Sequence, residues 1–305
     1  MPRRDSLAFA LALGTAGAGA FIGCRCQSPG GEGEARLPAG IPVASSVIAS
    51  VLNPGRLPLY AGPAGAVQGV VRVVGDPPPA SSGPAPPAGC PEAQAMYQHL
   101  FRKGPANELA DAVVAVTNYP GHLLPRGDAV RASIRGCALS VRTFTLTFGQ
   151  RLEIANEDPR EKYMPRLDGA GTAALIAAMP KGEAVKLYPT EPGRYSVADE
   201  LSHPWMRADV FVLKYPAHTV SAADGSFRIE GLPAGKVRVN AGHPAILEGA
   251  TREIEIKAGE VTKVELTLTY RASTPAPAYN AWPSSARAPA SARAPASASA
   301  SAPAP

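Results

Sequence analysis

Residues 141–149, VRTFTLTFG, alternate strictly: Phe144, Leu146 and Phe148 fall on one side, Thr143, Thr145 and Thr147 on the other. A repeat of two is the repeat of an extended chain, whose successive side chains point to opposite faces. The stretch predicts a half-buried strand. Gly149-Gln150 predicts a tight turn into a second strand, RLEIANED (151–158). Further runs read the same way: AVQGVVRVVGD (66–76), a short buried run in ADAVVAVTNYP (110–120), AVKLYP (184–189), GRYSVAD (193–199) and MRADVFVLKY (206–215). They are rich in Val, Phe and Tyr and bounded by Gly, Pro, Asn or Asp, as strands are. CPEAQAMYQHLF (90–101) is the best helix candidate, and TAALIAAM (172–179) is ambiguous between helix and strand. The chain is therefore expected to be mainly β.

The ends differ from the middle. Residues 27–90 hold 12 of the 33 prolines and 11 of the 30 glycines, and the last 35 residues hold 7 prolines. Residues 24–62 are expected to be a disordered tether, and 271–305, rich in Pro, Ala and Ser, a disordered tail that buries too little apolar surface to offset chain entropy. MPRRDSLAFALALGTAGAGAFIGC, with a basic start, an apolar stretch and small residues before Cys24, predicts a signal peptide over 1–23. FIGC resembles the lipobox of bacterial lipoproteins, which implies a lipid on Cys24; Phe21 departs from the usual Leu. The alternative is cleavage elsewhere and a soluble secreted product. With Arg25 after the cysteine, an outer-membrane location is expected if the host has two membranes. Both the general secretory and the twin-arginine routes stay open.

Export places the chain where disulfides persist. Of four cysteines, Cys24 and Cys26 sit at the processed end. Cys90 and Cys137 read most simply as one disulfide, with two free thiols as the alternative. The net charge of +5 is spread without a Lys/Arg block, so no nucleic-acid partner is expected.

A second unit starts near Pro216. SAADGSFRIEGLPAGKVRVNAGHP and REIEIKAGEVTKVELTLTY alternate apolar and charged residues between Asp-Gly and Gly-Leu-Pro-Ala-Gly turns, the pattern of a small antiparallel sandwich. The order of Cys, apolar strand, Gly-Gln turn, Asn-x-Asp loop, Gly-x-Tyr strand, HPWM and then DGSFRIEGLPAG resembles bacterial exported plastocyanin-like (cupredoxin) proteins joined to a carboxypeptidase-regulatory-like module. The resemblance covers residues 66–269. It implies a cupredoxin-like Greek-key β-sandwich over 63–215, then a small carboxypeptidase-regulatory-like β-sandwich over 216–270. It also supports pairing Cys90 with Cys137, since family members commonly carry cysteines there outside the copper loop.

A blue-copper site needs two imidazoles and a thiolate near one plane, with a weak axial thioether. Carried over by position, the resemblance puts the first His at Lys162, the Cys at Glu200, the second His at His203 and the Met at Met206. Only His203 and Met206 are retained. The expectation is no metal and no cofactor, with His203, Pro204, Trp205 and Met206 explained by packing. Other candidates are His218 and His243, in case they approach His203, and Asp199, Glu200, Glu157, Asp158 and Glu161 as an acid/base pair. No phosphate loop, Gly-x-Ser-x-Gly elbow or His-Glu-x-x-His pair is present in the sequence.

The expectation is a non-enzymatic, lipid-anchored cell-envelope protein with a binding or structural role. Its partners are the membrane and an envelope protein or glycan. The rivals are a copper electron-transfer protein and a carbohydrate-binding module stacking sugars on Trp205, Tyr188 and Tyr195.

Overall fold

The computed structural model describes residues 42–79, 83–170 and 175–272. The expected signal peptide, the expected lipidation site Cys24 and the expected tail beyond 272 lie outside the described residues. In chain order the elements are α1 (Ser45–Leu52), β1 (Ala64–Gly75), α2 (Pro91–Tyr97), β2 (Val113–Thr117), β3 (Ala129–Arg135), β4 (Ala138–Leu139), β5 (Thr143–Thr147), β6 (Arg151–Asn156), β7 (Pro165–Asp168), β8 (Val185–Leu187), β9 (Gly193–Asp199), β10 (Arg207–Leu213), β11 (His218–Val220), β12 (Ser226–Pro233), β13 (Gly235–Gly242), β14 (Ala250–Ile256) and β15 (Val261–Tyr270). The protein is mainly β.

The strands form four sheets that pack as two sandwiches. In one, the sheet ordered β4-β3-β6-β8 faces the sheet ordered β5-β10-β9-β7. Ile134, Leu139, Leu152 and Ile154 on one side meet Phe144, Leu146, Val197 and Val210 on the other. In the second, β12-β1-β15 faces β11-β2-β13-β14 across Val67, Val71, Val114, Val116, Ile229, Val239 and Leu266. The first sandwich is contiguous in sequence from β3 to β10. The second is split, with β1 and β2 before the insertion and β11–β15 after it.

This partition corrects the expected boundary between 63–215 and 216–270. β1 lies at the centre of its sheet, antiparallel to β12 from Ala64↔Pro233 and parallel to β15 from Ala66↔Val261 to Gly75↔Tyr270. β2 lies between β11 and β13, with Val116 opposite Val239. The physical reason is burial. Five strands from 216–270 would leave two sheets without their middle members. The valine-rich β1 and the fully buried β2 fill those places.

The chain crosses between the two cores within a few residues. α2 starts with Pro91 at its first turn and Cys90 as its N-cap. It ends at Tyr97, shorter than the expected helix over 90–101. Tyr97 belongs to the core of the inserted sandwich and Phe101 to that of the split one. β5 also differs from expectation, because all five of its residues are buried. Its threonine face packs on the split sandwich, where Thr147 Oγ1 lies 3.0 Å from His218 Nε2.

The expected tether over 24–62 is ordered from residue 42 onward. Val43, Ile48, Val51 and Leu52 pack α1 and its lead-in against the inserted core. The contact is close: Gly149 has φ +97°, and a Cβ there would sit 2.8 Å from Ile48. Glycine is what that turn requires, for its backbone angle and for the approach of the helix. Of 172–179, residues 172–174 lie outside the described residues; Ala178 forms an isolated bridge to Tyr163.

Candidate functional site

Three loops meet at one end of the inserted sandwich: the β3–β4 turn, the β6–β7 loop and the β9–β10 loop that carries HPWM. The β3–β4 turn is a two-residue hairpin of Gly136 (φ +57°) and Cys137 (φ +60°), between Arg135 and Ala138. Positive φ at both positions matches the right-handed twist of the flanking strands. Cys137 is bonded to Cys90 with Cα atoms 5.8 Å apart, so the turn is tied to the start of α2.

Asn156, at the end of β6, sets the next loop. Its Nδ2 donates to the carbonyls of Glu161 and Ala178, each at 2.8 Å, and its Oδ1 accepts from Asp158 N at 2.9 Å. This turns Asp158 inward. Its Oδ1 accepts the Gly136 N–H at 2.9 Å, and its Oδ2 accepts the Tyr163 hydroxyl. Tyr163 is fully buried. Burial first, and the Asp158 hydrogen bond second, push its phenol well above the ordinary range.

Asp199, at the end of β9, holds the third loop. Its side chain is wholly buried. Oδ1 accepts the Met164 N–H at 2.6 Å, while Oδ2 accepts the Ser202 N–H at 3.2 Å and lies 2.8 Å from His203 Nδ1. A carboxylate only accepts, so Nδ1 is the ring nitrogen that carries the proton. The His203 ring is tilted over Tyr163 at 4.7 Å and meets Trp205 edge-on at 5.4 Å. Trp205 Nε1 donates to the Cys137 carbonyl at 3.1 Å, which joins this loop back to the hairpin. Met206 is buried in the core, and its N–H donates to the His203 carbonyl at 2.8 Å.

Of the four carried-over ligand positions, the structure therefore puts His203 and Met206 in this cluster. Lys162 is exposed to solvent. Glu200 forms an ion pair with Arg166 at 3.1 Å. Beside Trp205, the side chains that meet His203 are the sequence neighbours of Lys162 and Glu200, namely Tyr163 and Asp199. The donor set does not match a blue-copper site: two of the four carried-over positions hold Lys162, which is exposed, and Glu200, which is paired with Arg166, and the two described cysteines, Cys90 and Cys137, are bonded to each other. Among the described residues no group of three or more His, Cys, Asp and Glu is placed to hold a metal ion.

The remaining candidates lie apart. His218 sits at the junction of the sandwiches on Thr147, and burial lowers its pKa to about 4. His243 is buried against the Phe101 ring at 5.1 Å and its Nδ1 accepts the Ala245 N–H; burial lowers its pKa to about 3. Among the carboxylates, Asp158 and Asp199 flank the Tyr163–His203 pair, whereas Glu157 and Glu161 are exposed. Tyr195 is buried, and its hydroxyl closes on the Glu191 backbone, so it offers no stacking face.

Sequence reasoning did not single out Tyr163. Its signal was position: it follows the residue expected to be a ligand, and a buried aromatic there covers the imidazole. Asp199 had a readable signal, the four-residue spacing to His203.

No protein-family model matches the chain, and no curated protein matches it in sequence. Solved structures give a partial likeness to amicyanin, a cupredoxin. Amicyanin from Paracoccus versutus is 22% identical, with a TM-score of 0.25 over 29% of this chain and 84% of that one. A reduced amicyanin mutant matches at 20% identity and TM-score 0.25, over 28% and 82%. A Cu(I) amicyanin mutant matches at 21% identity and TM-score 0.25, over 28% and 83%.

Proposed function

We propose that this chain is an exported, lipid-anchored cell-envelope protein with a non-enzymatic binding or structural role. Its inserted sandwich is a cupredoxin-like domain without copper, and its split sandwich a carboxypeptidase-regulatory-like module. The observation that carries the copper-free reading is the donor set: Lys162 and Glu200 stand at two of the four carried-over positions, one exposed and the other paired with Arg166 at 3.1 Å. The loop that holds His203 is fixed instead by Asp199, whose buried carboxylate lies 2.8 Å from His203 Nδ1 and accepts two backbone N–H groups. Asp158 fixes its own loop in the same way, by linking the hairpin to Tyr163. Anchoring rests on the FIGC motif and the export signal. Metal analysis of protein purified from its native envelope, followed by copper titration with absorbance and spin resonance, tests the reading. No stoichiometric copper and no intense colour are expected; a blue protein would refute it.

A further inference from the structure

We infer that the face built from α1, the strap 53–62 and the 122–126 loop is a contact surface for an anionic phospholipid bilayer. The inference rests on the lipid-anchor reading above and extends it to the folded domain. Leu57, Leu59 and Leu124 are 51%, 57% and 62% exposed. They come from two segments locked together: the His122 N–H donates to the Pro58 carbonyl at 3.0 Å and the Tyr60 N–H to the His122 carbonyl at 2.9 Å. The same segments and α1 line an open groove of about 790 Å³, with Ile48, Leu52, Arg56 and Leu124 among its walls. Apolar side chains left in water in one patch mark a surface that meets something.

Charge and connectivity say what. No Asp or Glu occurs between residues 35 and 75 or between 112 and 127. Arg56 and Arg126 are exposed at this face. Asp128, the next carboxylate in sequence, is paired with Arg151 at 2.7 Å. Glu230, whose carbonyl accepts from Arg126, has its carboxylate paired with Arg228 at 2.6 Å. Leucines with arginines, and no acid in the described segments that carry them, suit a headgroup layer, where apolar side chains enter the boundary and cations meet phosphates. The chain enters the described fold at residue 42, beside α1. Residues 25–41 link that point to Cys24, a span of at most about 60 Å when fully extended. A lipid there keeps this face at high local concentration near the bilayer. α1 packs on the Gly149 turn, beyond the far end of β5, whereas the His203 loop precedes β10, which runs parallel to β5. The bilayer would therefore lie at the end opposite His203.

The test uses protein isolated with its native N-terminus on vesicles of phosphatidylcholine and phosphatidylglycerol. Leu124→Trp places a reporter in the patch, and Thr267→Trp one on the exposed face of β15. Brominated phospholipid should quench the added Leu124→Trp emission by half or more and leave that of Thr267→Trp unchanged. Leu57→Glu with Leu59→Glu, both exposed positions, should remove the quenching while anchored protein stays on the vesicles, and Arg56→Glu should weaken it several-fold. Equal quenching at both reporters, or none at 124, overturns the inference. So does concentration-dependent self-association abolished by Leu57→Glu, which would make the patch an interface between copies. Mass spectrometry of Cys24 separates failure of the anchor from failure of the patch. An unlipidated chain whose Leu124→Trp emission still shifts blue on anionic vesicles supports the patch alone.

Discussion

At the scale of single residues, Asp199 organises the loop end of the inserted sandwich. Asp199→Ala leaves the Met164 N–H and the His203 Nδ1–H, both part-buried, without an acceptor, and the exposed Ser202 N–H to water, at an expected cost of about 2–4 kcal/mol, measured by denaturant unfolding. Asp199→Asn keeps one acceptor oxygen and should cost less. His243 yields a pH prediction. The unfolded imidazole takes a proton near pH 6.5, and the folded one only near about 3. Between those values the unfolded state binds more protons, so stability falls as pH falls, by about 1.4 kcal/mol per unit at most from this group. The cause is burial against Phe101, with Nδ1 already accepting from Ala245. His243→Asn keeps an acceptor and removes the titration, so unfolding measured from pH 7 to pH 4 should show a flatter profile. Of this scale, His203 and Met206 were legible as a loop motif. Of its partners, Asp199 carried a readable signal in its spacing to His203, and Tyr163 did not, because the carry-over pointed to the residue before it.

At the scale of elements, the Cys90–Cys137 bond joins α2 to the β3–β4 hairpin, and the hairpin to Trp205. Reduction should lower stability by about 2–5 kcal/mol, by releasing a loop of 47 residues in sequence separation. Tryptophan emission should change before global unfolding, since Trp205 donates to Cys137 itself. Thermal melts with and without reductant check both. Gly149→Ala should cost about 1–3 kcal/mol, because the residue sits at φ +97° beneath Ile48. The strands with clean alternation or dense valine were legible: β1, β5, β9 and β15 lie where their sequences put them. β3 carries the same alternation, Val130, Ala132 and Ile134 against Arg131, Ser133 and Arg135, but the short side chains of Val130 and Ala132, both half-buried, give a weak signal. α1 was hidden by the proline- and glycine-rich segment around it. Its packing comes from tertiary contact with the Gly149 turn, which no local pattern announces. The burial of the β5 threonines was likewise invisible, since the surface that covers them is a different sandwich.

At the scale of the molecule, the division into two sandwiches could be read, but not which strands belong to which. Pairing across an insertion leaves no mark on local periodicity. A fragment of residues 63–215 should therefore fold poorly around β1 and β2. Hydrogen exchange should show both strands unprotected in the fragment and protected in the whole chain. The parallel pairing of β1 with β15 has a consequence for how the protein is made. Ala66 meets Val261, a separation of 195 residues, and Val70 meets Ser226, a separation of 156. A chain that emerges from its N-terminus delivers β1 first and its neighbours last. For most of that passage a valine-rich strand has both edges open, the condition that favours wrong partners. The inserted sandwich can collapse meanwhile, so the order of completion is inside first and enclosure second. Assembly is finished only when the last strand slides in beside the first.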